Sequence, residues 1–442
     1  MRIRTTLVLS LSCLSILVFG DRRSPAGPLK DYVEKADDSY QWKQRRTGRL
    51  DATEYVELTL TSQTWRGIVW RHQLFILKPS TLRTDLKHSL LYIGGGNWRD
   101  ELADPATGGQ VPGMARSLAA LAESAQTTVA VLLHVPQQPI FGGLVEDQII
   151  SRTFGEYLEE GNPEDLLLLP MVKSVVRAMD AVEQFAADRW SVDVETFTLT
   201  GASKRGWTTW LTGAVDRRAT ALAPMVIDVL NMQAHMKHQI AAWGEYSHQI
   251  HDYTDRDLPK YLDTPAGKTL RDIVDPYSYR SRLTQPKLIL IGTNDPYWPL
   301  DSLNLYWKDL VGQNYILYVP NSGHGLSDNG RVLGGIHALH QHAATGKPLP
   351  KLSWAFSVVE NRATLTVRST PRPDRVRLWT ATSATRDFRQ SKWRATDIRP
   401  TAAGHVGTSD LPEKGFKAMF GEAAYETDQF PYYFSTNVEI VR

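Results

Sequence analysis

One stretch of the chain constrains its fold more than any other, because it joins a strand to a helix through a tight, glycine-bearing turn. It reads Thr198-Leu-Thr-Gly-Ala-Ser-Lys-Arg-Gly-Trp207, with an apolar strand-like run before it and a helix-like run after it. A backbone that doubles back this sharply needs small residues, which Gly201 and Gly206 provide. The pattern predicts that Ser203 is held out at the end of a strand.

A serine in this position is typical of a nucleophile elbow, which exposes the hydroxyl beside a base. The usual pattern is G-x-S-x-G, whereas here Arg205 occupies the place of the second glycine and Gly206 follows one residue later. The same turn is also compatible with a serine that only caps the helix. The rest of the chain has to distinguish the two interpretations.

Strand-like and helix-like runs alternate on both sides of the turn, which predicts an α/β protein with a mostly parallel sheet. Runs at 55–65 and 68–79, separated by Arg66-Gly67, predict an antiparallel hairpin before it. Further strands are predicted at 89–96, 127–134, 194–200, 219–230, 286–295 and 315–320. Helices are predicted at 114–125, 165–189, 205–215, 300–310 and 331–344.

Two segments interrupt the alternation, and the pattern changes after residue 346. We expect an irregular insertion at 137–162 over one end of the sheet, and a largely helical cap at 231–283 that shapes the substrate pocket. Short alternating runs from 350 to 442 predict a separate β-sandwich-like domain. The predicted organisation is a signal peptide at 1–20, an α/β-hydrolase domain at 21–346 and the β domain at 350–442.

The first 20 residues have the features of a secretory signal peptide. Arg2 and Arg4 precede an almost wholly apolar run, and small residues at 18 and 20 suit a cleavage site before Asp21. The run is short for a membrane anchor, so we expect no membrane span in the mature chain. The single cysteine, Cys13, lies inside the run, so the mature protein would lack disulfides. These features predict a periplasmic or secreted protein.

Three predicted loops together favour catalysis over simple helix capping. In α/β hydrolases the nucleophile, the acid and the histidine follow successive strands in that chain order. Ser203 follows one strand, Asp295 ends a later one and His324 follows the last. We therefore predict that His324 is the general base and that Asp295 orients its ring. Asp228 and Asp301 are alternative acids, although Asp301 is more simply a helix cap.

A glycine-rich loop follows the strand at 89–96 and predicts the oxyanion hole. Backbone N–H groups of Gly95, Gly96 or Asn97, together with that of Lys204, would bind the developing negative charge. The side chains of Lys204 and Arg205 are either ordinary residues at a helix start or cations that attract an anionic substrate. The sequence leaves both possibilities open.

Composition argues against several other classes of function. Lys plus Arg total 50 and Asp plus Glu total 48, so the net charge of +2 gives no reason to expect nucleic acid or a membrane surface as partner. Histidines at 235/238, 248/251 and 337/340/342 have helical spacing, but no cysteine or clear carboxylate set accompanies them. We expect neither a metal site nor a cofactor.

Several of these motifs, in this order, resemble those of the PhoPQ-activated pathogenicity-related proteins. They include Gly201-Ala-Ser-Lys-Arg-Gly-Trp207, Gly292-Thr-Asn-Asp-Pro-Tyr-Trp298 and Asn321-Ser-Gly-His324, and the similarity extends into the β domain at 376–381 and 386–389. The resemblance implies an exported α/β-hydrolase-like protein with a C-terminal β domain, and it implies the same triad. Locally, the turn also resembles that of glucuronoyl esterases, which place a cation after the nucleophile and a glycine at +3.

The sequence therefore predicts an exported serine hydrolase that acts through an acyl-enzyme, with an ester as its first expected substrate. A serine peptidase with the same triad is the alternative within enzymes, and a binding or signalling protein with an inert triad is the alternative outside them. The expected partner is a small-molecule, glycan-derived or peptide substrate. Nothing in the sequence predicts the oligomeric state.

Overall fold

A computed structural model describes residues 27–104 and 111–442. The predicted signal peptide at 1–20 lies outside the described residues. Within the two described ranges, no helix combines the length and the apolar character that crossing a bilayer requires.

The centre of the molecule is a nine-stranded sheet in the order β1-β2-β3-β5-β4-β6-β7-β8-β9. β1, β2, β3 and β5 pair antiparallel, and the strands from β5 through β9 pair parallel. The exchanged positions of β4 and β5 are those of an α/β-hydrolase sheet, which confirms the predicted fold. The strands are β1 Gln41–Leu50, β2 Thr53–Trp65, β3 Ile68–Lys78, β4 His88–Ile93, β5 Val129–Leu132, β6 Thr196–Ala202, β7 Ala219–Met225, β8 Lys287–Gly292 and β9 Asn314–Val319.

Helices cover both faces of this sheet, and the alternation of side chains along each strand feeds two cores. In β5, Ala130 and Leu132 pack with the helices α4 and α5, whereas Val129 and Val131 pack with α2 and α10. The helices are α1 Pro28–Glu34, α2 Gly113–Ala125, α3 Asp147–Glu160, α4 Leu168–Trp190, α5 Lys204–Val215, α6 Met232–Trp243, α7 His251–Thr254, α8 Leu258–Tyr261, α9 Pro265–Val274 and α10 Asn329–Thr345.

Three local predictions need correction. The polar strand β1 extends the sheet by one strand that was not predicted. The insertion at 137–162 is not irregular throughout, since α3 forms there and buries Ile149, Phe154 and Tyr157 on one side. The predicted helix at 300–310 is instead two short 3-10 turns, Ser302–Leu305 and Trp307–Asp309, because its backbone bonds span three residues rather than four.

The C-terminal residues form two antiparallel sheets that pack face to face. One has the order β10-β11-β15-β14, and the other has the order β13-β12-β16-β17 with β18 also paired to β16. The sheets meet closely at Gly421, where a Cβ would lie 2.8 Å from Val367 Cγ2. The strands are β10 Lys351–Val359, β11 Arg362–Thr370, β12 Arg375–Ser383, β13 Arg394–Asp397, β14 Pro400–Thr401, β15 Gly404–Asp410, β16 Phe416–Tyr425, β17 Tyr432–Ser435 and β18 Glu439–Val441.

This β domain is joined to the hydrolase sheet by apolar and polar contacts. β17 packs against β9 and α10, where the rings of Phe434 and Tyr315 stack with centroids 4.6 Å apart. Arg331 on α10 donates to both carboxylate oxygens of Glu422, which is buried in β16. The contact therefore includes an ion pair to a buried carboxylate, which Arg377 of the β domain also approaches at 3.7 Å.

Candidate active site

Ser203 occupies the sharp turn between β6 and α5 with φ 57° and ψ −126°. This conformation is rare for a residue with a side chain and is characteristic of a strained nucleophile elbow. The neighbouring glycines make it possible, since a Cβ on Gly201 would lie 2.8 Å from the Arg205 carbonyl oxygen and one on Gly206 would lie 2.9 Å from that of Gly201. Gly206, three residues after Ser203, thus relieves the steric crowding that the second glycine of G-x-S-x-G relieves in the usual pattern.

The residues predicted as acid and base lie in contact. The Asp295 carboxylate accepts from His324 Nδ1, with Oδ2 at 2.8 Å and Oδ1 at 3.1 Å. Oδ1 also accepts the backbone N–H of Tyr297 at 2.9 Å, which fixes the carboxylate. With Nδ1 engaged in this way, the free lone pair of a neutral His324 is at Nε2, as a general base requires.

Neither alternative acid contacts His324. Asp228 is fully buried after β7 and accepts from the Tyr306 hydroxyl at 2.7 Å. Asp301 pairs with His238 Nε2 at 2.7 Å and with Arg386 of the β domain at 2.5 Å. Asp295 is therefore the one of the three candidates that is placed to orient the imidazole.

Ser203 is not hydrogen-bonded to His324 in this structure. His324 Nε2 is buried without a partner among the described residues, and the Tyr297 ring stacks on the imidazole with centroids 4.1 Å apart. Ser203 and Tyr297 both line a pocket beneath the cap, whereas His324 lines a separate cleft beside the β domain. The structure thus brings Asp295 and His324 into contact, while Ser203 and His324 line different pockets and share no hydrogen bond.

The residues predicted for the oxyanion hole flank the elbow. Within the described part of the chain, no hydrogen-bond acceptor contacts the backbone N–H groups of Gly95, Gly96, Asn97 or Lys204. Gly95 packs directly on the Arg205 guanidinium, where a Cβ would lie 2.5 Å from Nη2. Gly96 has φ +118°, a conformation that favours glycine. The loop after β4 therefore depends on its glycines for this close approach.

The cations that follow Ser203 are paired with carboxylates of the insertion. Lys204 Nζ lies 2.8 Å from Glu146 and 3.0 Å from Asp147, and Arg205 forms a bidentate pair with Glu146 at 2.7 Å. Burial disfavours ionised Glu146, but hydrogen bonds and charge from Arg205 and Lys204 outweigh it and lower its pKa to about 2. Asp147 also accepts from the Tyr253 hydroxyl at 2.8 Å. These charges compensate one another locally.

A pocket with a cavity volume of ≈ 80 Å³ lies beneath the cap. Ser203, Lys204 and Asp147 lie at its polar part, and most of its remaining lining is aliphatic or aromatic. The apolar lining comes from α3, α5, the cap and the segment after β8, and includes Phe154, Trp207, Met236, Leu262, Leu270 and Trp298. A pocket with few polar groups and many apolar ones is the usual form of a small-molecule site.

A family model described as PhoPQ-activated pathogenicity-related protein matches residues 29–389. The chain belongs to this family. The autocrine proliferation repressor protein A of Dictyostelium discoideum is 33% identical to this PhoPQ-related chain over 460 aligned residues, which cover 94% of this chain and 90% of that protein.

Solved esterase structures share lower similarity with this PhoPQ-related protein. An acetyl xylan esterase of a Paenibacillus species is 14% identical, covering 67% of this chain and 86% of that one with a TM-score of 0.45. Acetyl xylan esterase 1 of a Thermoanaerobacterium species is 14% identical, covering 71% and 92% with a TM-score of 0.46. A glucuronoyl esterase of Solibacter usitatus is 11% identical, covering 71% and 91% with a TM-score of 0.41.

Residues 384 to 393, which we call the β12–β13 loop, are hydrogen-bonded to the loop that carries Asp295 and to the loop that carries His324. Asn294, beside Asp295, directs its Nδ2 toward the carbonyl oxygens of Phe388, Arg389 and Ser391 at 2.8–3.3 Å. Asn321, three residues before His324, accepts from the Trp393 N–H at 2.7 Å and donates to its carbonyl at 3.1 Å. The PhoPQ-related β domain thus contacts the immediate neighbours of Asp295 and His324.

The histidines with helical spacing serve packing and polar networks. His235 packs edge-on against Trp298, and His340 is buried between the hydroxyls of Thr127 and Thr198. His248 and His251 contact each other, with ring centroids 5.7 Å apart. Among the described residues, no group of three or more His, Cys, Asp or Glu side chains is placed to hold a metal ion.

Sequence reasoning missed several residues that contact the site. Glu146 and Asp147 compensate the elbow cations, Tyr297 covers His324, and Asn294 and Asn321 connect the triad loops to the β domain. The asparagines stand inside motifs that were already singled out, Gly-Thr-Asn-Asp and Asn-Ser-Gly-His. Their adjacency to Asp295 and His324 was the available signal.

Proposed function

We propose that this PhoPQ-related protein is an exported serine hydrolase that cleaves an ester through a covalent acyl-enzyme. The single observation that supports this most is the Asp295–His324 pair, placed on loops after β8 and β9 of the sheet whose β6 ends at the Ser203 elbow. A carboxylate that accepts from Nδ1 stabilises the imidazolium that forms when Nε2 takes a proton.

In this mechanism Ser203 Oγ attacks the ester carbonyl carbon and passes its proton to His324 Nε2. The negative charge moves to the carbonyl oxygen, where backbone N–H groups of Gly95, Gly96, Asn97 or Lys204 stabilise it. Collapse of this intermediate breaks the bond to the alcohol, which leaves with the proton from Nε2. Water then attacks the acyl-enzyme with His324 again as the base, releasing the acid and restoring Ser203.

The mechanism requires Ser203 Oγ and His324 Nε2 to approach to about 2.6–3.2 Å. In the structure no hydrogen bond joins them, and Tyr297 stacks on the imidazole. Unliganded sites often have loose catalytic hydrogen bonds that shorten when substrate binds. The buried, unpartnered Nε2 supports this view, because it has a hydrogen bond still to form.

Fluorophosphonate labelling of the mature chain, located by mass spectrometry, tests the nucleophile without knowledge of the substrate. We expect the label on Ser203 and its loss in Ser203→Ala and His324→Ala. Ser62→Ala is a matched control, because Ser62 Oγ also lies 2.9 Å from a histidine, His72 Nε2, but both side chains are fully buried. Labelling that persists in Ser203→Ala while the protein remains folded would contradict the proposal.

A second candidate is a binding or signalling protein with an inert triad. The absence of a hydrogen bond between Ser203 and His324 favours it, as does a 33%-identical relative that is named a proliferation repressor. A binding function would survive Ser203→Ala, whereas a hydrolytic function would not.

A serine peptidase shares the proposed triad, and parallel assays with ester and amide substrates distinguish it from an esterase.

A further inference from the structure

The pocket at Ser203 carries information about the substrate that the triad does not. Its lining combines one polar end, at Ser203, with aromatic and aliphatic walls from the cap. Met236 on α6 and Leu270 on α9 are both buried, so the cap directs apolar side chains inward at this point. A group that fills this space gains free energy by leaving water only if it is itself apolar.

The charges at the polar end do not favour an anion. Lys204 is the cation among the described residues that line the pocket, and two carboxylates already contact its ammonium group. Glu146 also binds both terminal nitrogens of Arg205. An anionic group would therefore have to displace Glu146 or Asp147, and it would lie beside their negative charge. The possibility that Lys204 attracts an anionic substrate loses its basis here.

The positions of Ser203 and His324 assign the two parts of an ester to different sides. The leaving alcohol must take its proton from His324, so it has to lie on the imidazole side. That side opens into a polar cleft lined by Asp387, Arg389 and Gln390 of the β12–β13 loop. The acyl group, which stays on Ser203 after the alcohol leaves, is left with the apolar pocket that Ser203 itself lines.

From these observations we infer that the enzyme takes esters of uncharged, apolar acyl groups longer than acetyl, and that the acyl group occupies the pocket beneath the cap. This inference rests on the proposed serine-hydrolase function and adds the substrate class to it. Each methylene buried in such a pocket raises kcat/KM by up to about fourfold. Four further methylenes, from acetyl to hexanoyl, then give an expected increase of about tenfold to hundredfold.

The test compares kcat/KM for p-nitrophenyl acetate, butyrate, hexanoate and succinate. We expect hexanoate to exceed acetate by at least about tenfold, and butyrate to exceed succinate, which has the same carbon number and an added carboxylate. A labelled, active enzyme that prefers acetate or succinate would overturn the inference and leave the proposed function standing.

Two tryptophan substitutions on α6 locate the acyl group. Met236→Trp fills the pocket, so we expect the hexanoate-to-acetate ratio to fall at least fivefold. Ile240→Trp is the matched control, because Ile240 lies on the same helix, is 41% exposed and does not line the pocket; its ratio should match the wild type. If Met236→Trp does not fold, Leu270→Ala enlarges the pocket and should move the preference toward longer chains. Ratios that are the same in all variants would overturn the inference.

A binding measurement keeps the inference testable if hydrolysis is absent. Octan-2-one is an uncharged ketone with a hexyl chain, and Trp207 and Trp298 in the pocket wall report its binding by fluorescence. We expect binding to Ser203→Ala and at least fivefold weaker binding when Met236→Trp is added. If a protein that fluorophosphonate does not label still binds octan-2-one, the result would contradict the proposed hydrolase function but support the apolar ligand pocket. If octan-2-one does not bind, the result would contradict the inference that the pocket takes an apolar group.

Discussion

Asp228 gives a sharp test of the electrostatics around the site. Its carboxyl group is fully buried, Oδ1 accepts from Tyr306, and Oδ2 has no partner among the described residues. Burial, together with the nearby charges of Asp295 and Asp301, raises the pKa of Asp228 from 3.8 to about 7, although the Tyr306 hydroxyl opposes this change. Near neutral pH, folding therefore requires a proton on this group or the burial of its charge.

The sign of the pH dependence follows from this shift. Between the unfolded pKa of 3.8 and the folded pKa of about 7, the folded state holds a proton that the unfolded state has lost, so rising pH lowers the free energy of unfolding. The loss is about 1.4 kcal/mol for each pH unit over which only the folded state is protonated, or about 3 kcal/mol between pH 5 and pH 8. The folded carboxyl is half ionised at about pH 7, so this contribution stops changing about one pH unit higher.

Asp228→Asn removes the titration, so its stability relative to the wild type should rise by about 3 kcal/mol between pH 5 and pH 8. Any fixed cost of the amide is the same at both pH values and cancels in this difference. With an unfolding entropy of about 2.1 cal/mol/K per residue, the change corresponds to about 4 °C in Tm for a hydrolase domain of about 320 residues.

Differential scanning fluorimetry of both proteins at pH 5 and pH 8 measures this effect. A difference in Tm between variant and wild type that is the same at both pH values would refute the reasoning, because it would mean that the carboxyl titrates normally. The same variant also tests the assignment of the acid. If Asp295 is the acid, Asp228→Asn should keep its fluorophosphonate label on Ser203.

Two further substitutions test contacts around the triad. Asn294→Asp places a carboxylate against three carbonyl oxygens of the β12–β13 loop, so we expect a loss of about 1–3 kcal/mol in stability and a lower kcat. Its control is Asn361→Asp, at an exposed turn of the β domain, which should change neither the Tm nor the kcat. Equal effects in both variants would contradict the positioning role of Asn294. Gly95→Ala places a Cβ 2.5 Å from the Arg205 guanidinium, so labelling of Ser203 should slow by tenfold or more; an unchanged labelling rate would show that this close approach is not needed.

The sheet and the acid–base pair could be predicted because their signals are local. Continuous apolar runs identify buried parallel strands, and a turn with glycines at 201 and 206 fits only a sharp reversal of the backbone. Asp295 and His324 then follow from the order of strands, since the carboxyl ends of parallel strands meet at one edge of the sheet. The strand β1 was missed because its sequence, Gln41-Trp-Lys-Gln-Arg-Arg-Thr-Gly-Arg-Leu50, is mostly polar, as an edge strand often is.

The charge state and the contacts of the site depend on residues far apart in sequence. Lys204 looks like a free cation until Glu146 and Asp147 of the insertion are placed beside it. Similarly, Asn294 and Asn321, which we call the asparagine clamps, form their hydrogen bonds with the β12–β13 loop, about 70 to 100 residues further along the chain. Local pattern cannot supply such pairings. Helix α3 was missed because Gly142-Gly143 just before it and Gly155 within it are typical of an irregular segment.

The asparagine clamps also affect the order in which this protein matures. Ribosomes deliver the chain from its N-terminus, so the elbow and both triad loops emerge well before the β12–β13 loop that grips Asn294 and Asn321. The strands that anchor that loop, β12 and β16, pair across residues 375–383 and 416–425. A chain interrupted within the β domain would therefore carry all three residues of the proposed triad without the contacts that fix two of their loops. Under the proposed function, activity would be acquired only once the C-terminal strands are complete.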